Sequence, residues 1–513
     1  MNNKINNKRL AKNTMFLYIR MFVIMAVGLY TSRVVLQALG ASDFGVYNVV
    51  GGIVLLLCFL NQSMVASTQR YINIALGKDD EIYTSKIFKA SIRIHLLLAI
   101  IIAIVAETGG LWFLNSQLNI PDNRMFAANI VYQVSIITVF VSINMAPYSA
   151  MIIAMEKMSI YAYVSVIDAV VKLLLVIYLQ YSPFDRLIVY SVIMALVGFL
   201  DFFISFLYCK QKISCCYAQV VKIESSLYKS LLSFSGWAII GSLAFSLSNQ
   251  GINMLLNIFF NPVVNAARGI SMNVSNYVNQ FVGNFTVAVN PQITKSYAAN
   301  DYVGMFNLVS NSARYSIYLL SFVALPIIFE ANFVLTIWLK DFPKDTVLFC
   351  DFILAESFLF CADRPLATTC NAIGCVKQIN LSAGVVYIVG FVLSWFMLKI
   401  YPFILLPLII HAITVIVVDL IFIYFIKKYL NVDISILFKS LGRALLVLVI
   451  PVSILFIVNV YFAEGWIRLF LTLGMSTITV LSSVYFVGIT MNEKKQMKSI
   501  ILKRFKNNQN YVA

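Results

Sequence analysis

The chain has 513 residues, of which 61% are hydrophobic and only 12% charged, and its mean hydropathy is +0.87. Soluble domains average roughly 45–50% apolar and 25% charged residues, so a soluble fold is excluded. The net charge of +16 points to loops flanking membrane spans rather than to nucleic acid, because basic residues accumulate in the cytoplasmic connections of membrane proteins.

A helix crossing a hydrocarbon core of ~30 Å needs roughly 20 apolar residues. In chain order such segments recur at 15–38, 46–66, 91–113, 126–147, 160–181, 187–208, 236–259, 262–289, 313–339, 347–370, 380–398, 404–426, 441–462 and 467–490. The basic start, with Lys4, Lys8, Arg9 and Lys12, imitates a signal peptide, but the apolar run that follows continues to Leu39 and predicts an uncleaved first span. The expected fold class is therefore an all-α polytopic membrane protein with about fourteen transmembrane helices.

Spans seven and eight are the least apolar, and charge gives an independent check on them. Inside segments, counted with the inner span ends at Arg93, Arg314 and Arg443, hold 27 of the 38 Lys and Arg, and the outside loops and outer span ends hold six, namely Arg124, Arg186, Lys340, Lys344, Lys399 and Arg468. Dropping either span would invert the later loops and export the tail bearing Lys494, Lys495, Lys498, Lys503, Arg504 and Lys506. Both termini are accordingly expected in the cytoplasm. The outside loops, such as Gly40 to Gly45 and Ser182 to Arg186, leave no room for an outer domain. The eight cysteines lack the spacing of a disulfide or metal framework, and no cofactor or metal is implied.

The long inside loop from Cys209 to Ser235 divides the chain into six spans followed by eight. A faint repeat agrees: Gly40-x-x-x-Phe44-Gly45-x-Tyr47 opens span two as Asn261-x-x-x-Asn265-Ala266-x-Arg268 opens span eight. Two parallel six-span halves are a known transporter plan.

In span seven Ser242, Ser246, Asn249, Asn253 and Asn257 recur at steps of three and four, so they share one helix face over ~22 Å. Span eight repeats the pattern with Gly269, Asn273, Asn276, Gln280 and Asn284, bordered by Arg268. Amides can glue helices together for ~0.6–2 kcal/mol each. Ten polar positions on consecutive helices exceed that need and favour a water-filled cavity.

Intramembrane charges are by default candidates for a substrate pathway, since each costs at least ~2.5–3.5 kcal/mol on insertion scales. Arg20 shares a face with Asn13 and Thr31 and suits a cavity, or snorkels to the inner surface; Arg33 points elsewhere and suits a cavity or the outer surface equally. Asp168 and Lys172 stand at i, i+4 on span five, either a self-neutralising pair or a phosphate-binding cation with a proton-accepting partner. Span ten carries Asp351, Glu356, Asp363 and Arg364 before Pro365, which invites a kink. Asp168, Glu356 and Asp363 are the ion-coupling candidates, while Glu107, Asp201, Glu330, His411 and Asp419 are single groups that nothing in the sequence ranks.

The run Thr31-Ser-Arg33-Val-Val-Leu-Gln-Ala-Leu-Gly40-Ala-Ser-Asp-Phe-Gly45-Val-Tyr47-Asn48 resembles the polysaccharide transporter family of the multidrug/oligosaccharidyl-lipid/polysaccharide (MOP) exporter superfamily. Ser67-Thr-Gln-Arg70, Glu156-Lys157-Met158, Asn249-Gln-Gly-Ile-Asn253, Pro262-Val-Val-Asn-Ala-Ala-Arg268-Gly269 and Asn290-Pro-Gln-Ile-Thr-Lys-Ser-Tyr297 are similar to its Wzx-type flippases. The likeness covers spans one to ten, and the last four only in hydropathy.

What the resemblance implies is two MATE-like six-helix lobes, 1–235 and 236–430, around a central cationic cavity, followed by spans thirteen and fourteen and a basic tail over 431–513. The implied activity is movement of undecaprenyl-diphosphate-linked oligosaccharide (an O-antigen, capsule or exopolysaccharide repeat unit) across the bacterial inner membrane. Arg20, Arg268, Arg33 and Lys172 would meet the diphosphate, and Asn249, Asn253, Asn257, Asn273, Asn276 and Gln280 the sugars. Membrane lipid is a further partner, as are a polysaccharide polymerase and a chain-length regulator of the same pathway. Rival readings are a MATE-type multidrug antiporter, which normally carries a carboxylate in its first or seventh span, a lipid-II flippase, and a membrane glycosyltransferase or polymerase. The short outer loops argue against an enzyme.

Overall fold

The computed structural model describes residues 2–56, 68, 71, 72, 75, 76, 80–155, 157–217, 223–491 and 493–495, with the backbone alone for 2–20, 22, 55, 158, 159, 161, 162, 217, 233–240, 284, 287, 288, 291, 295, 298 and 376. Among these residues there is no strand. Inside lipid a backbone must satisfy its own polar groups, which helices do within one segment.

The long helices are α1 (Asn2–Leu56), α2 (Glu81–Val105), α3 (Asp122–Ala154), α4 (Met158–Leu179), α5 (Arg186–Lys212), α6 (Ser225–Phe259) and α7 (Pro262–Ala298). They continue as α8 (Tyr302–Phe329), α9 (Thr346–Ile373), α10 (Val376–Ile400), α11 (Leu406–Leu430), α12 (Ser435–Tyr461) and α13 (Trp466–Ser483). Gly40, at φ 75° and ψ 169°, breaks α1 between the first two expected spans, a conformation that favours glycine. Counting α1 on either side of that break gives the expected complement of about fourteen.

Helix ends follow the sequence. Asp80, Asp185 and Asp301 cap α2, α5 and α8 by accepting from backbone N–H groups of the first turn. Lys210 and Lys212 close α5, and Lys427 and Lys428 close α11, where cations complement the helix dipole. Pro365, expected to invite a kink, lies within the continuous helix α9.

Among the described residues nine helices are long and apolar enough to cross a membrane, and α7 and α9 are not among them. These are the helices that carry the second amide stripe and the charges of span ten. The whole is a multi-pass helical membrane protein.

By contacts the chain forms two compact units. The first comprises Met1–Asn273, Thr336–Phe349 and Cys375–Ile421. Within it α3 packs on α5, α1 on α4, and α6 on α10. Glycine makes the last of these pairings close: a Cβ on Gly251 would stand 2.4 Å from the Phe391 ring, and one on Gly241 only 2.1 Å from Asn380 Oδ1. Where α2 widens into a π-helical turn, Ala106–Gly110, Tyr132 Oη donates to the Ala106 carbonyl at 2.7 Å. Such a turn displaces a carbonyl from the α ladder, and the tyrosine serves it.

The second unit comprises Val274–Leu335, Cys350–Gly374 and Phe422–Ala513. Here α12 and α13 pack on α8 over Leu325, Leu455 and Val480. Glu330, read in sequence as a lone group, is fully buried and accepts from Arg468 Nε and Nη2 at 3.0 Å each and from Thr472 at 2.7 Å. Midway along α8, buried Arg314 pairs with Glu493, which Tyr315 Oη also reaches at 2.8 Å. Span fourteen is thus fastened to span nine at both of its own ends.

Candidate functional site

The first unit brings the polar residues of α1, α6 and α7 together. Arg268, 4% exposed, donates from Nη1 to Asn253 Oδ1 and from Nη2 to the Asn249 carbonyl at 3.1 Å. Asn265 Nδ2 donates to the Asn253 carbonyl at 2.6 Å, and Asn253 Nδ2 donates to Gln250 Oε1 at 3.1 Å. The guanidinium therefore ties α7 to the amide stripe of α6 through oxygen acceptors spaced one turn apart.

Span two closes on this node through small residues. A Cβ on Gly269 would lie 2.7 Å from Asn48 Nδ2, one on Gly52 3.7 Å from Gln250 Oε1, and one on Gly45 would overlap the Pro262 carbonyl. The two segments that open the faint sequence repeat, at Gly40 and at Asn261, thus lead into helices that touch each other.

Asn257, the last position of the α6 stripe, is fully buried. Its Oδ1 accepts from the backbone N of Asn119 at 2.7 Å, and Asn119 Nδ2 donates to the Phe260 carbonyl at 3.0 Å. Arg33 is half-buried and reaches the Ile337 carbonyl at 3.4 Å, while Trp338 Nε1 donates to the Leu29 carbonyl at 2.6 Å. Arg124, in the first turn of α3, bonds both Asp43 of α1 and Asp185 at the N-cap of α5, so one guanidinium joins three helices.

Asn48 also lines a cavity of about 420 Å³ between α1, α3, α4 and α5. Its charged residues are Asp168, Lys172 and Asp201. Lys172 Nζ stands 3.4 Å from Asp168, each side chain a little under a third exposed. The Asp201 carboxyl is within hydrogen-bonding reach of Asp168, and its buried Oδ1 has no hydrogen-bond partner among the described residues. Sequence reading found the first two by their i, i+4 spacing and left Asp201 unranked, because the packing of α4 on α5 that joins them is not written in either helix alone.

In the second unit Asn276 is exposed and Gln280 half-buried on α7, while the neighbouring Asn279 donates to Ser357 of α9 at 2.8 Å. Asn273, half-buried, ends the first unit. Glu356 and Asp363 are half-buried on α9 in the second unit. The side chain of Arg20 lies outside the described residues, as do those of Asn13 and Asn284.

No family model matches the chain, and no curated protein matches it. Solved structures do. An inward-facing multidrug resistance MATE family transporter of the MOP superfamily aligns at TM-score 0.61 and 12% identity, covering 82% of this chain and 97% of its own. The lipid II flippase MurJ, in an inward closed conformation, aligns at TM-score 0.62 and 13% identity over 92% of this chain and 98% of its own. A MOP superfamily transporter from Pyrococcus furiosus, described by the reverse polarity of its binding pocket, gives 0.61 and 13% over 82% and 96%. The fold is therefore the one shared by MOP superfamily transporters, MATE proteins and MurJ among them.

Proposed function

We propose that the chain is a flippase that carries a polyprenyl-diphosphate-linked oligosaccharide between the leaflets of the bacterial inner membrane by alternating access. Its fold is consistent with transport of either a drug or a lipid-linked glycan, and the polysaccharide-transporter resemblance of spans one to ten favours the glycan. The observation that carries this choice is Arg268 inside the amide stripe. Its fork faces amide and carbonyl oxygens one helical turn apart, acceptors that the oxygens of a diphosphate can replace pairwise. Asn249 and Asn253, once released, offer donors and acceptors to the first sugar. Arg20 is assigned to the same diphosphate from the sequence, with the lipid tail left in the bilayer. Glu356 and Asp363 stand as the ion-coupling candidates of the second unit, and a polymerase and chain-length regulator as partners.

Complementation tests the assignment in cells whose surface glycan depends on this protein. Arg268→Gln should abolish or strongly impair export at unchanged membrane abundance, and Arg268→Lys should restore it only in part because an ammonium lacks the planar fork. Full export with both Arg268→Gln and Arg20→Gln would remove these residues from the substrate site.

A further inference from the structure

Lys172 is one of the cations that the sequence offers to the diphosphate, and its surroundings argue for another ligand. In the 420 Å³ cavity it stands against Asp168 with Asp201 beside them, two carboxyl groups to one ammonium. A diphosphate brought there would meet an ammonium whose charge Asp168 already balances.

The remaining polar lining consists largely of acceptors. Ser135 and Thr138 donate their hydroxyl hydrogens to the Val131 and Val134 carbonyls one turn back, at 2.7 and 2.8 Å, so their oxygens present lone pairs. Asp201 Oδ1 has no donor among the described residues. Such a lining fits a ligand that brings several hydrogen-bond donors and no negative charge. The volume falls within the ~300–1,000 Å³ of small-molecule sites, more than a dehydrated ion fills, and Tyr47 adds an aromatic wall.

We infer that this cavity is a sugar-binding site of the lipid-linked glycan, taking a neutral or amino-bearing ring through Asp168, Asp201 and the Ser135 and Thr138 hydroxyl oxygens, and excluding acidic sugars. The inference rests on the flippase reading and deepens it: the diphosphate belongs to Arg268, and Lys172 serves the cavity by holding Asp168 in place. A donor-rich ring supplies hydroxyl or ammonium hydrogens to the waiting oxygens, whereas a uronate sets a further carboxylate against them.

Saturation-transfer NMR on the intact protein in nanodiscs, with methyl glucoside, its 2-amino-2-deoxy analogue and methyl glucuronide as probes, tests this directly. Wild type should bind the amino glycoside and the neutral glycoside at least tenfold more tightly than the glucuronide, and Asp201→Asn should reduce amino-glycoside affinity about tenfold. The wild-type order alone decides the matter if the variant does not fold. Geranylgeranyl diphosphate, which carries no sugar, is the companion probe: its binding should survive Asp201→Asn and fail in Arg268→Gln. Glucuronide binding equal to or above the other two, or a cavity that responds to sodium and to no glycoside, overturns the sugar assignment. Failure of the lipid diphosphate to bind, with glycosides bound as expected, overturns the flippase reading instead.

Discussion

Asn257 and Asn119 exchange hydrogen bonds across 138 positions of sequence: Asn257 Oδ1 accepts from the Asn119 backbone N at 2.7 Å, and Asn257 Nδ2 approaches the Asn119 carbonyl at 3.4 Å. A side-chain amide mimics a backbone partner and joins the segment before α3 to the end of α6. The α6 stripe is thus not uniform in what it does, since Asn249 and Asn253 face the Arg268 guanidinium while Asn257 acts as a strap.

Asn257→Ala should therefore leave a buried backbone N–H unsatisfied and destabilise the protein by roughly 1–3 kcal/mol. Thermal unfolding in detergent reads this. Cysteines at the exposed Asn276 and at Asn257 give the complementary test: a water-soluble thiol reagent should modify the first and spare the second. Rapid modification of both would mean that Asn257 is no strap.

Glu330→Ala should leave the Arg468 guanidinium buried without its bidentate partner, at a cost of about 3–5 kcal/mol. Replacing both partners, as Glu330→Leu with Arg468→Met, should recover most of that loss, because well-packed apolar side chains carry no desolvation penalty. Unfolding of the single and double variants measures the coupling. A double variant no more stable than Glu330→Ala would show that the pair has no such mutual role.

Glu493 ties the chain beyond α13 to Arg314, whose side chain is 1% exposed. Burial raises the Glu493 pKa, but the Thr490 backbone N–H, the Tyr315 and Thr490 hydroxyls and Arg314 outweigh it, and the net shift is downward from 4.5. A carboxylate with a depressed folded pKa stabilises the fold fully above its unfolded pKa and loses that contribution as pH falls through the folded value. Wild type should accordingly lose stability relative to Glu493→Gln only below about pH 4.5. At neutral pH the variant should be less stable by roughly 2–3 kcal/mol, less than a fully buried pair because Glu493 retains some solvent. A stability difference independent of pH between 7 and 3 would contradict this.

Features written along one helix were legible in sequence, and features written between helices were not. The Gly40 break, the Asp168–Lys172 pair and the one-face stripe of α6 each follow from local conformation or a period of 3.6. Arg268 was visible as the border of a stripe, since its place on α7 is local, but its bonds to Asn249 and Asn253 depend on how α6 meets α7. Glu330 and Arg468 are 138 residues apart, and each alone reads as an isolated charge. The Arg124 cluster was hidden for the same reason: its three members fall in three separate connections of the sequence, and the signal was the single charge or two that each keeps. Arg20, a principal expectation, lies among side chains outside the described residues.

The most direct measurement is reconstitution of the purified protein into liposomes containing a fluorescently labelled polyprenyl-diphosphate oligosaccharide, with an impermeant quencher added outside. Wild type should expose the inner-leaflet pool to the quencher within the assay, and Arg268→Gln should slow this at least tenfold, as expected from losing charge-assisted hydrogen bonds worth roughly 1.5–3 kcal/mol each. Quenching no faster than in protein-free liposomes, from a preparation that instead exchanges an organic cation for protons, would contradict lipid-linked glycan transport and assign the chain to drug export.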